Sequence, residues 1–101
     1  MDLKKASEKA YEIAQKRGLN EDTIQALKHC AGEVLEAVES YTKYVYSSRE
    51  KNDSFPDELA DVIMCILSIC GAENIDIEQA LCRCFFKNEK RAEGVKNDSS
   101  Q

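Results

Sequence analysis

The sequence predicts an all-α fold, a bundle of four helices. Its 101 residues include one proline and four glycines, so few positions interrupt a helix. Apolar side chains recur every three or four residues, the spacing of one helix face, and alternating runs of β-branched residues are absent. A single domain of this size has a thin core, and a helix with two apolar sides can bury the second side against another copy. We therefore expect a homo-oligomer formed through helix packing.

The residues between the first two helices predict where the first helix ends and where the second begins. The first helix is predicted from about Leu3 to Arg17, and Gly18 follows at the position of a left-handed helix stop. Asn20 is then predicted to cap a long second helix from about Glu21 to Tyr46. Apolar residues at helical spacing predict the buried face of this second helix: Ile24, Leu27, Ala31, Val34, Leu35 and Val38.

The third helix follows a polar segment, Ser48 to Ser54, which is predicted to be a surface connection. Asp53 or Ser54, with Pro56 near the first turn, begins the helix, and Gly71 is predicted to end it. We expect this helix to be the most buried one. Its apolar stripe consists of Leu59, Val62, Ile63, Ile66, Leu67 and Cys70.

The fourth helix is predicted to start at Asp76, with Gln79 in the capping-box position. Its inward-facing residues are predicted to be Ala80, Leu81, Cys84 and Phe85. The residues after Arg91 are small and polar. We therefore assign residues 1–93 to a single helical domain and residues 94–101 to a flexible polar tail.

Charge and composition exclude several classes of function. The net charge is −5, so no basic field is available to attract polymeric nucleic acid or anionic lipid. No apolar run approaches the roughly 20 residues of a membrane span, and no signal-peptide core follows the first residues, so we expect a cytoplasmic location. The five cysteines are odd in number and poorly spaced for zinc or disulfides, which favours reduced thiols.

Two pairs of carboxylates carry the predicted chemistry. Glu33 with Glu36, and Glu58 with Asp61, are each three positions apart, which places both members of a pair on one helix face. On neighbouring antiparallel helices the pairs would form a cage of four carboxylates. Such hard oxygen ligands select Mg²⁺ or Mn²⁺. Glu39, one turn further along, is the natural spare carboxylate to orient or deprotonate an attacking water.

Alternatives stay open at this point. A chain with 19 acidic residues shows several such spacings by chance, and each pair alone is typical of a solvated helix face. The apolar neighbours of both pairs favour the metal site instead. Because Glu33, Glu36 and Glu39 are evenly spaced, the metal-binding pair can also be Glu36 with Glu39. His29, one turn before Glu33, is more often packed or solvated than functional.

Several ordered motifs resemble one enzyme family. E-V-L-E, followed by D-E-L-A-D-V-I, I-D-I-E-Q-A-L and K-N-E-K-R, is similar to the MazG-type superfamily of all-α nucleoside triphosphate pyrophosphohydrolases, over about Leu27 to Arg91. The resemblance implies a dimer or a dimer of dimers and Mg²⁺-dependent cleavage between the α and β phosphates. It implies a role in cleaning the nucleotide pool of canonical or damaged nucleoside triphosphates.

The resemblance also implies residue roles. The metal ligands would be Glu33, Glu36, Glu58 and Asp61, and Asn88 and Arg91 would face the nucleotide or its phosphates. Many members of the family carry a lysine where this chain has Cys84, and Lys87, one turn away, is a candidate substitute. This departure keeps a second class of function open, a non-catalytic helical module that binds metal or nucleotide.

Overall fold

A computed structural model describes residues 1–46 and 54–99. Four helices form the described part of the chain: α1 (Leu3–Lys16), α2 (Thr23–Tyr46), α3 (Ser54–Glu73) and α4 (Ile77–Ser99). No strand occurs within those ranges, so the all-α, four-helix prediction is confirmed. Helices α1 and α2 both pack on α3, whereas α4 contacts mainly α1. Asp53 and the rest of the predicted connection before Ser54 lie outside the described residues.

Helix α1 ends as the sequence predicts. Gly18 adopts a left-handed conformation with φ 74°. Its N–H donates to the Gln15 carbonyl and the Leu19 N–H donates to the Ala14 carbonyl, both at 3.0 Å. These two bonds form a Schellman motif, which satisfies carbonyls at the helix end that would otherwise lack a partner. The chain therefore turns sharply and leads directly into α2.

The start of α2 differs from the prediction, because Asp22 caps this helix and Asn20 does not. The Asp22 carboxylate accepts a 2.8 Å hydrogen bond from the Gln25 N–H, and the Gln25 side-chain oxygen accepts a 3.3 Å bond from the Asp22 N–H. This reciprocal capping box satisfies two backbone donors at once. Asn20 instead donates its N–H to the Gly18 carbonyl at 3.0 Å and so belongs to the turn after α1.

The predicted end of α3 at Gly71 is wrong. The helix continues to Glu73, and Asn74 takes the left-handed position with φ 54°. The Ile75 N–H donates to the Cys70 carbonyl at 2.9 Å, as expected for a Schellman end. Asparagine tolerates this conformation better than most residues, because its short polar side chain can hydrogen-bond locally.

Gly71 instead allows α3 to approach α1 closely. A Cβ atom built at Gly71 would collide with the backbone oxygen of Ser7 and would lie 2.7 Å from the Cβ of Tyr11. Ser7 and the adjacent Ala10 are buried at the same contact. The absence of a side chain at Gly71 therefore determines how tightly the two helices pack.

The buried face of α2 consists mainly of small residues, together with Glu33, rather than the predicted large apolar ones. The residues of α2 that are buried or half-buried recur at helical spacing: Thr23, Ala26, Cys30, Glu33, Ala37 and Ser40. Most of the predicted stripe is exposed in the single chain, with Ile24 67% and Leu35 69% accessible. Small side chains bring the α2 and α3 backbones close together, and the bulky apolar residues are left on other faces of α2.

The predicted burial of α3 and α4 is confirmed only in part. Val62, Leu67 and Cys70 of α3 are half-buried or buried, but the stripe residues Leu59, Ile63 and Ile66 are exposed. On α4, Ala80 is half-buried, whereas the other residues predicted to face inward are exposed: Leu81, Cys84 and Phe85. The inward orientation is wrong for the single chain because α4 packs on little more than α1.

Helix α4 is longer than predicted, since it passes Arg91 and continues to Ser99. The division of the chain at residue 93 into a domain and a tail stays a prediction. Within residues 1–46 and 54–99, no helix combines the length and the apolar character needed to cross a bilayer.

Candidate metal centre

Helices α2 and α3 run antiparallel, and cross-helix hydrogen bonds fix their register. At one end the Ser40 and Ser54 hydroxyl oxygens are 3.1 Å apart. At the other end the Thr23 hydroxyl donates to the Glu73 carboxylate. An early residue of α2 therefore lies beside a late residue of α3. This register brings the two predicted carboxylate pairs, one from the middle of each helix, to the same level.

Three of the four predicted metal ligands come together in space. Glu33, Glu36 and Glu58 each offer one carboxylate oxygen, and these oxygens all lie within 4.8 Å of one another. The Glu33 side chain is only 18% exposed, Glu58 is half-buried, and Glu36 is exposed. The cluster therefore lies at the edge of the α2–α3 contact, with one side open to solvent.

Asp61 lies next to this cluster but not within the group of three oxygens. It lines the cleft that Glu33 also lines, and its charge is one of those that act on Glu36. A modest rotation of its side chain about the α3 backbone would change its distance from the other acids. Its place on α3, one turn after Glu58, agrees with the predicted spacing.

The clustered negative charges perturb Glu36. The charge of Glu33 and a hydrogen bond with Glu33 are the largest causes that raise the pKa of Glu36 above its usual value. Slight desolvation and the charges of Glu58 and Asp61 raise this pKa further. Like charges held together in this way destabilise the ionised form unless a cation compensates.

The chemistry of the site fits a hard divalent cation. The Oε2 atom of Glu58 is buried and has no hydrogen-bond partner among the described residues. A buried acceptor without a partner is costly, and a charged one more so. A divalent cation beside Glu33, Glu36 and Glu58 would both satisfy this oxygen and neutralise the repulsion. Oxygen donors of this kind are those that Mg²⁺ and Mn²⁺ prefer.

Glu39 lies one turn beyond Glu36, on the side of the cluster away from Asp61. It lines a second cleft together with Glu36, Lys43 and Glu58. Its carboxylate is not part of the three-oxygen group that contains Glu33. The geometry therefore favours the register in which Glu33 and Glu36 bind the metal and Glu39 is the additional acid. The roles of these residues stay predictions.

His29 lies in a cleft beside the carboxylate cluster, which its place in the sequence does not indicate. A cleft of about 270 Å³ lies between α1, α2 and α3, and His29, Glu33, Asp61 and Cys65 all line it. The His29 Nδ1 atom lies 3.2 Å from a Glu21 carboxylate oxygen, and its Nε2 atom lies 3.3 Å from Glu33. The hydrogen bond with Glu21 is the largest cause that raises the pKa of His29, although burial opposes it.

Sequence reasoning missed Glu21 as a member of this cleft. The pairing of His29 with Glu33 has a local signal, because residues four apart on a helix are neighbours. Glu21 lies before the first residue of α2, Thr23, and its contact with His29 depends on the path of the chain into the helix. Helical periodicity carries no information about that path.

The predicted phosphate-binding residues are not brought to the carboxylates within one chain. Lys87, Asn88 and Arg91 are exposed residues of α4, and none of them lines either cleft. The Asn88 side-chain amide donates to the Cys84 carbonyl at 2.8 Å, within its own helix. The single chain therefore presents these residues on a surface separate from the acidic cluster.

A comparison with known families agrees with the all-α fold. The model of the MazG nucleotide pyrophosphohydrolase domain matches residues 19–96, which include all of α2 and α3 and most of α4. No curated protein and no solved structure shows a significant match. The chain belongs to the MazG nucleotide pyrophosphohydrolase family.

Proposed function

We propose that this protein hydrolyses nucleoside triphosphates to nucleoside monophosphates and pyrophosphate, with Mg²⁺ as its cofactor and Mn²⁺ as a substitute. The observation that carries the proposal is the convergence of Glu33, Glu36 and Glu58, each of which offers one carboxylate oxygen within 4.8 Å of the others. The buried Oε2 atom of Glu58, which has no hydrogen-bond partner among the described residues, supports the proposal. Asp61 completes the ligand set. The family match supports the reaction class.

The overall charge explains why the substrate needs a cation. A protein of net charge −5 repels a triphosphate, and the acidic cluster repels it most strongly. Bound Mg²⁺ supplies charge neutralisation and polarises the phosphoanhydride. Glu33 and Glu58 hold their carboxylates in place because both are partly buried against the α2–α3 contact. Glu36 contributes from the solvent side.

We assign the role of general base, which accepts a proton from the attacking water, to the remaining acid, Glu39. A water oxygen attacks one phosphorus of the α–β anhydride, a P–O bond forms, the bridging P–O bond at that phosphorus breaks, and nucleoside monophosphate and pyrophosphate are released. Glu39 accepts the proton that the water loses. It adjoins the cluster through the cleft it shares with Glu36 and Glu58, yet it is not one of the converging oxygens. A carboxylate that is not a metal ligand stays free for this general-base role.

The phosphate-binding residues point to an oligomer. Lys87, Asn88 and Arg91 lie on a surface separate from the clefts of their own chain. We propose that α4 of a second copy delivers them to the nucleotide, in a homodimer or a dimer of dimers. The exposed bulky apolar residues support such an assembly, because packing against a second copy would remove them from water. These residues include Ile24, Leu35, Val38, Ile63, Phe85 and Phe86.

The same separation favours a second candidate, a non-catalytic module that binds metal or nucleotide. If no assembly brings α4 to the acids, the cluster has cation ligands but no cationic partner for the phosphates. The two candidates differ in turnover but share metal binding. House-cleaning of a cytoplasmic nucleotide pool is the role we propose for the active form.

Product analysis tests the reaction class. The protein is incubated with each common ribo- and deoxyribonucleoside triphosphate, and with oxidised or methylated bases, in Mg²⁺ or Mn²⁺. The proposal predicts monophosphate and pyrophosphate in equal amounts from at least one substrate. Diphosphate and inorganic phosphate would contradict the proposed bond cleavage. No turnover, combined with stabilisation by Mg²⁺, would favour the non-catalytic module.

A further inference from the structure

We propose that the cleft beside the carboxylate cluster is a second metal site, in which His29, Glu33 and Cys65 bind one Zn²⁺ ion. This site differs from the Mg²⁺ site in its donor atoms and in the cation it selects. The two sites share one residue, Glu33. The inference rests on the geometry of the cleft and does not depend on the proposed hydrolysis.

The three donor atoms are close enough to bind one ion. A His29 ring nitrogen, a Glu33 carboxylate oxygen and the Cys65 sulfur all lie within 4.8 Å of one another. Zinc binds such donors at about 2.0–2.3 Å, so two donors of a tetrahedral site lie roughly 3.3–3.8 Å apart. Small side-chain rotations close the remaining gap, because His29 is 42% exposed and its ring has room to move.

His29 is already oriented as metal-binding histidines usually are. Its Nδ1 atom faces the Glu21 carboxylate at 3.2 Å, and its Nε2 atom faces Glu33 at 3.3 Å. A carboxylate that accepts a hydrogen bond from one ring nitrogen fixes the tautomer and leaves the other nitrogen as the ligand. We therefore assign Glu21 as the positioning residue of the site and His29 Nε2, which faces Glu33, as the ligand atom.

Cys65 supplies the donor that distinguishes zinc from magnesium. Its side chain is half-buried and lines the same cleft as His29 and Glu33. On metal binding the S–H bond is replaced by a sulfur–metal bond, and the proton leaves to solvent. Zinc accepts sulfur and imidazole nitrogen readily, whereas Mg²⁺ binds oxygen almost exclusively. The mixed set of donors is therefore selective.

The cleft leaves room for a further ligand. Its volume is about 270 Å³, and apolar residues of α1, including Ala10, Ile13 and Ala14, form the opposite wall. Three protein ligands with an open fourth position are typical of zinc sites that keep a water. Because Glu33 belongs to both sites, Zn²⁺ in the cleft draws this carboxylate away from the Mg²⁺ cluster. Zn²⁺ binding should therefore weaken Mg²⁺ binding.

Cobalt spectroscopy on the full chain tests the proposal. Co²⁺ replaces zinc in such sites and is titrated into reduced protein in a metal-free buffer. We expect a near-ultraviolet thiolate-to-cobalt charge-transfer band and displacement of this band by Zn²⁺. Cys65→Ser should remove the band. Cys30→Ser, which changes a nearby half-buried thiol outside the donor group, should retain it.

Two further variants separate this site from the Mg²⁺ site. Glu58→Gln should retain the charge-transfer band although it disables the acidic cluster, and His29→Ala should weaken Co²⁺ binding more than tenfold. Circular dichroism verifies that each variant keeps its helices. The proposal is overturned if Co²⁺ gives no thiolate band, if the band survives Cys65→Ser, or if His29→Ala leaves the affinity unchanged.

Discussion

Glu33 of α2 and Glu58 of α3 hold their carboxylate oxygens within 4.8 Å of each other across the contact between two antiparallel helices. Both side chains are partly buried, and one oxygen of Glu58 has no hydrogen-bond partner in the described part of the chain. Two ionised groups in this arrangement repel each other, and a divalent cation between them reverses the sign of the interaction.

Mg²⁺ should stabilise the wild-type protein through the acidic cluster. A ligand that binds only the folded state at 100 times its Kd adds about 2.7 kcal/mol to the free energy of unfolding. We expect a clear rise in the melting temperature of wild type with Mg²⁺ and little rise for Glu58→Gln. Without metal, Glu58→Gln should be at least as stable as wild type, because it removes repulsion.

The control for this experiment is Glu8→Gln, which neutralises an exposed acid of α1 away from the cluster. Its response to Mg²⁺ should equal that of wild type. An equal rise in all three proteins would mean that Mg²⁺ acts on the surface in general. Unfolding of Glu58→Gln without metal would mean that Glu58 has a structural role.

The proposed assembly predicts complementation between two inactive variants. Glu58→Gln lacks a metal ligand, and Arg91→Ala lacks a phosphate-binding side chain. If Arg91 acts on the carboxylates of a second copy, each mixed pair of chains contains one intact site. Random assortment into twofold-symmetric pairs then restores about a quarter of the wild-type activity. Pyrophosphate release is measured after the two variants are co-expressed.

Absence of any recovery in the mixture would mean that Arg91 and Glu58 serve the same chain's site or that no such assembly forms. Each variant measured alone gives the baseline. A mixture of Glu58→Gln with Asp61→Asn is the matched control, because both changes affect the same cluster and every mixed pair retains a defect in each site.

Gly71→Ala should destabilise the fold. The new Cβ would collide with the backbone oxygen of Ser7 and approach the Tyr11 Cβ to 2.7 Å, so α1 and α3 must separate. Overpacking of this kind costs typically about 1–3 kcal/mol. Gly94→Ala is the control, because Gly94 is a helical glycine of α4 with open space around its Cβ.

Urea unfolding followed by circular dichroism measures both changes. Gly94→Ala should leave the free energy of unfolding unchanged or raise it by up to roughly 1 kcal/mol, because alanine favours helix over glycine. A stability of Gly71→Ala equal to wild type would contradict the close approach of α1 and α3.

The raised pKa of Glu36 predicts a specific dependence of stability on pH. A carboxyl whose pKa is higher in the folded state binds more protons when folded, so its protonation stabilises the fold. At a pH well above this pKa, where Glu36 is ionised, the metal-free wild type should be less stable than Glu36→Gln. This difference should narrow as the pH falls through the raised pKa of Glu36.

Urea midpoints of both proteins over a pH series, with a chelator present, test this sign. A difference that widens on acidification would contradict the repulsion between Glu36 and Glu33. Glu8→Gln again serves as the control, and its difference from wild type should lack this pH dependence, because Glu8 lies outside the cluster.

Features with local signals were predictable from the sequence. The helices follow from periodicity, the stop at Gly18 from glycine's conformational freedom, and the pairing of Glu33 with Glu36 from their spacing on one turn. We predicted that the two acidic pairs face each other by assuming that α2 and α3 pack antiparallel. The hydrogen bond between Ser40, near the end of α2, and Ser54, at the start of α3, agrees with that packing.

Features that depend on distant contacts were predicted wrongly. A glycine such as Gly71 is typical of a helix end, but here the close approach of the Ser7 backbone is what requires a glycine. Leu35 has the signal of a core residue, yet it is 69% exposed because small residues such as Ala37 form the contact with α3. Periodicity shows that a face is apolar but does not show which surface covers it.

Mg²⁺-dependent pyrophosphate release tests most directly whether the acidic cluster is the catalytic metal site. Wild type, Glu58→Gln and Glu8→Gln are measured side by side, with the best substrate from the triphosphate panel. We expect wild type and Glu8→Gln to release pyrophosphate only with Mg²⁺ or Mn²⁺. Release by Glu58→Gln should be at least a hundredfold lower, which corresponds to about 2.7 kcal/mol of lost transition-state stabilisation. Undiminished release by a folded Glu58→Gln variant would contradict the assignment of the acidic cluster as the catalytic metal site.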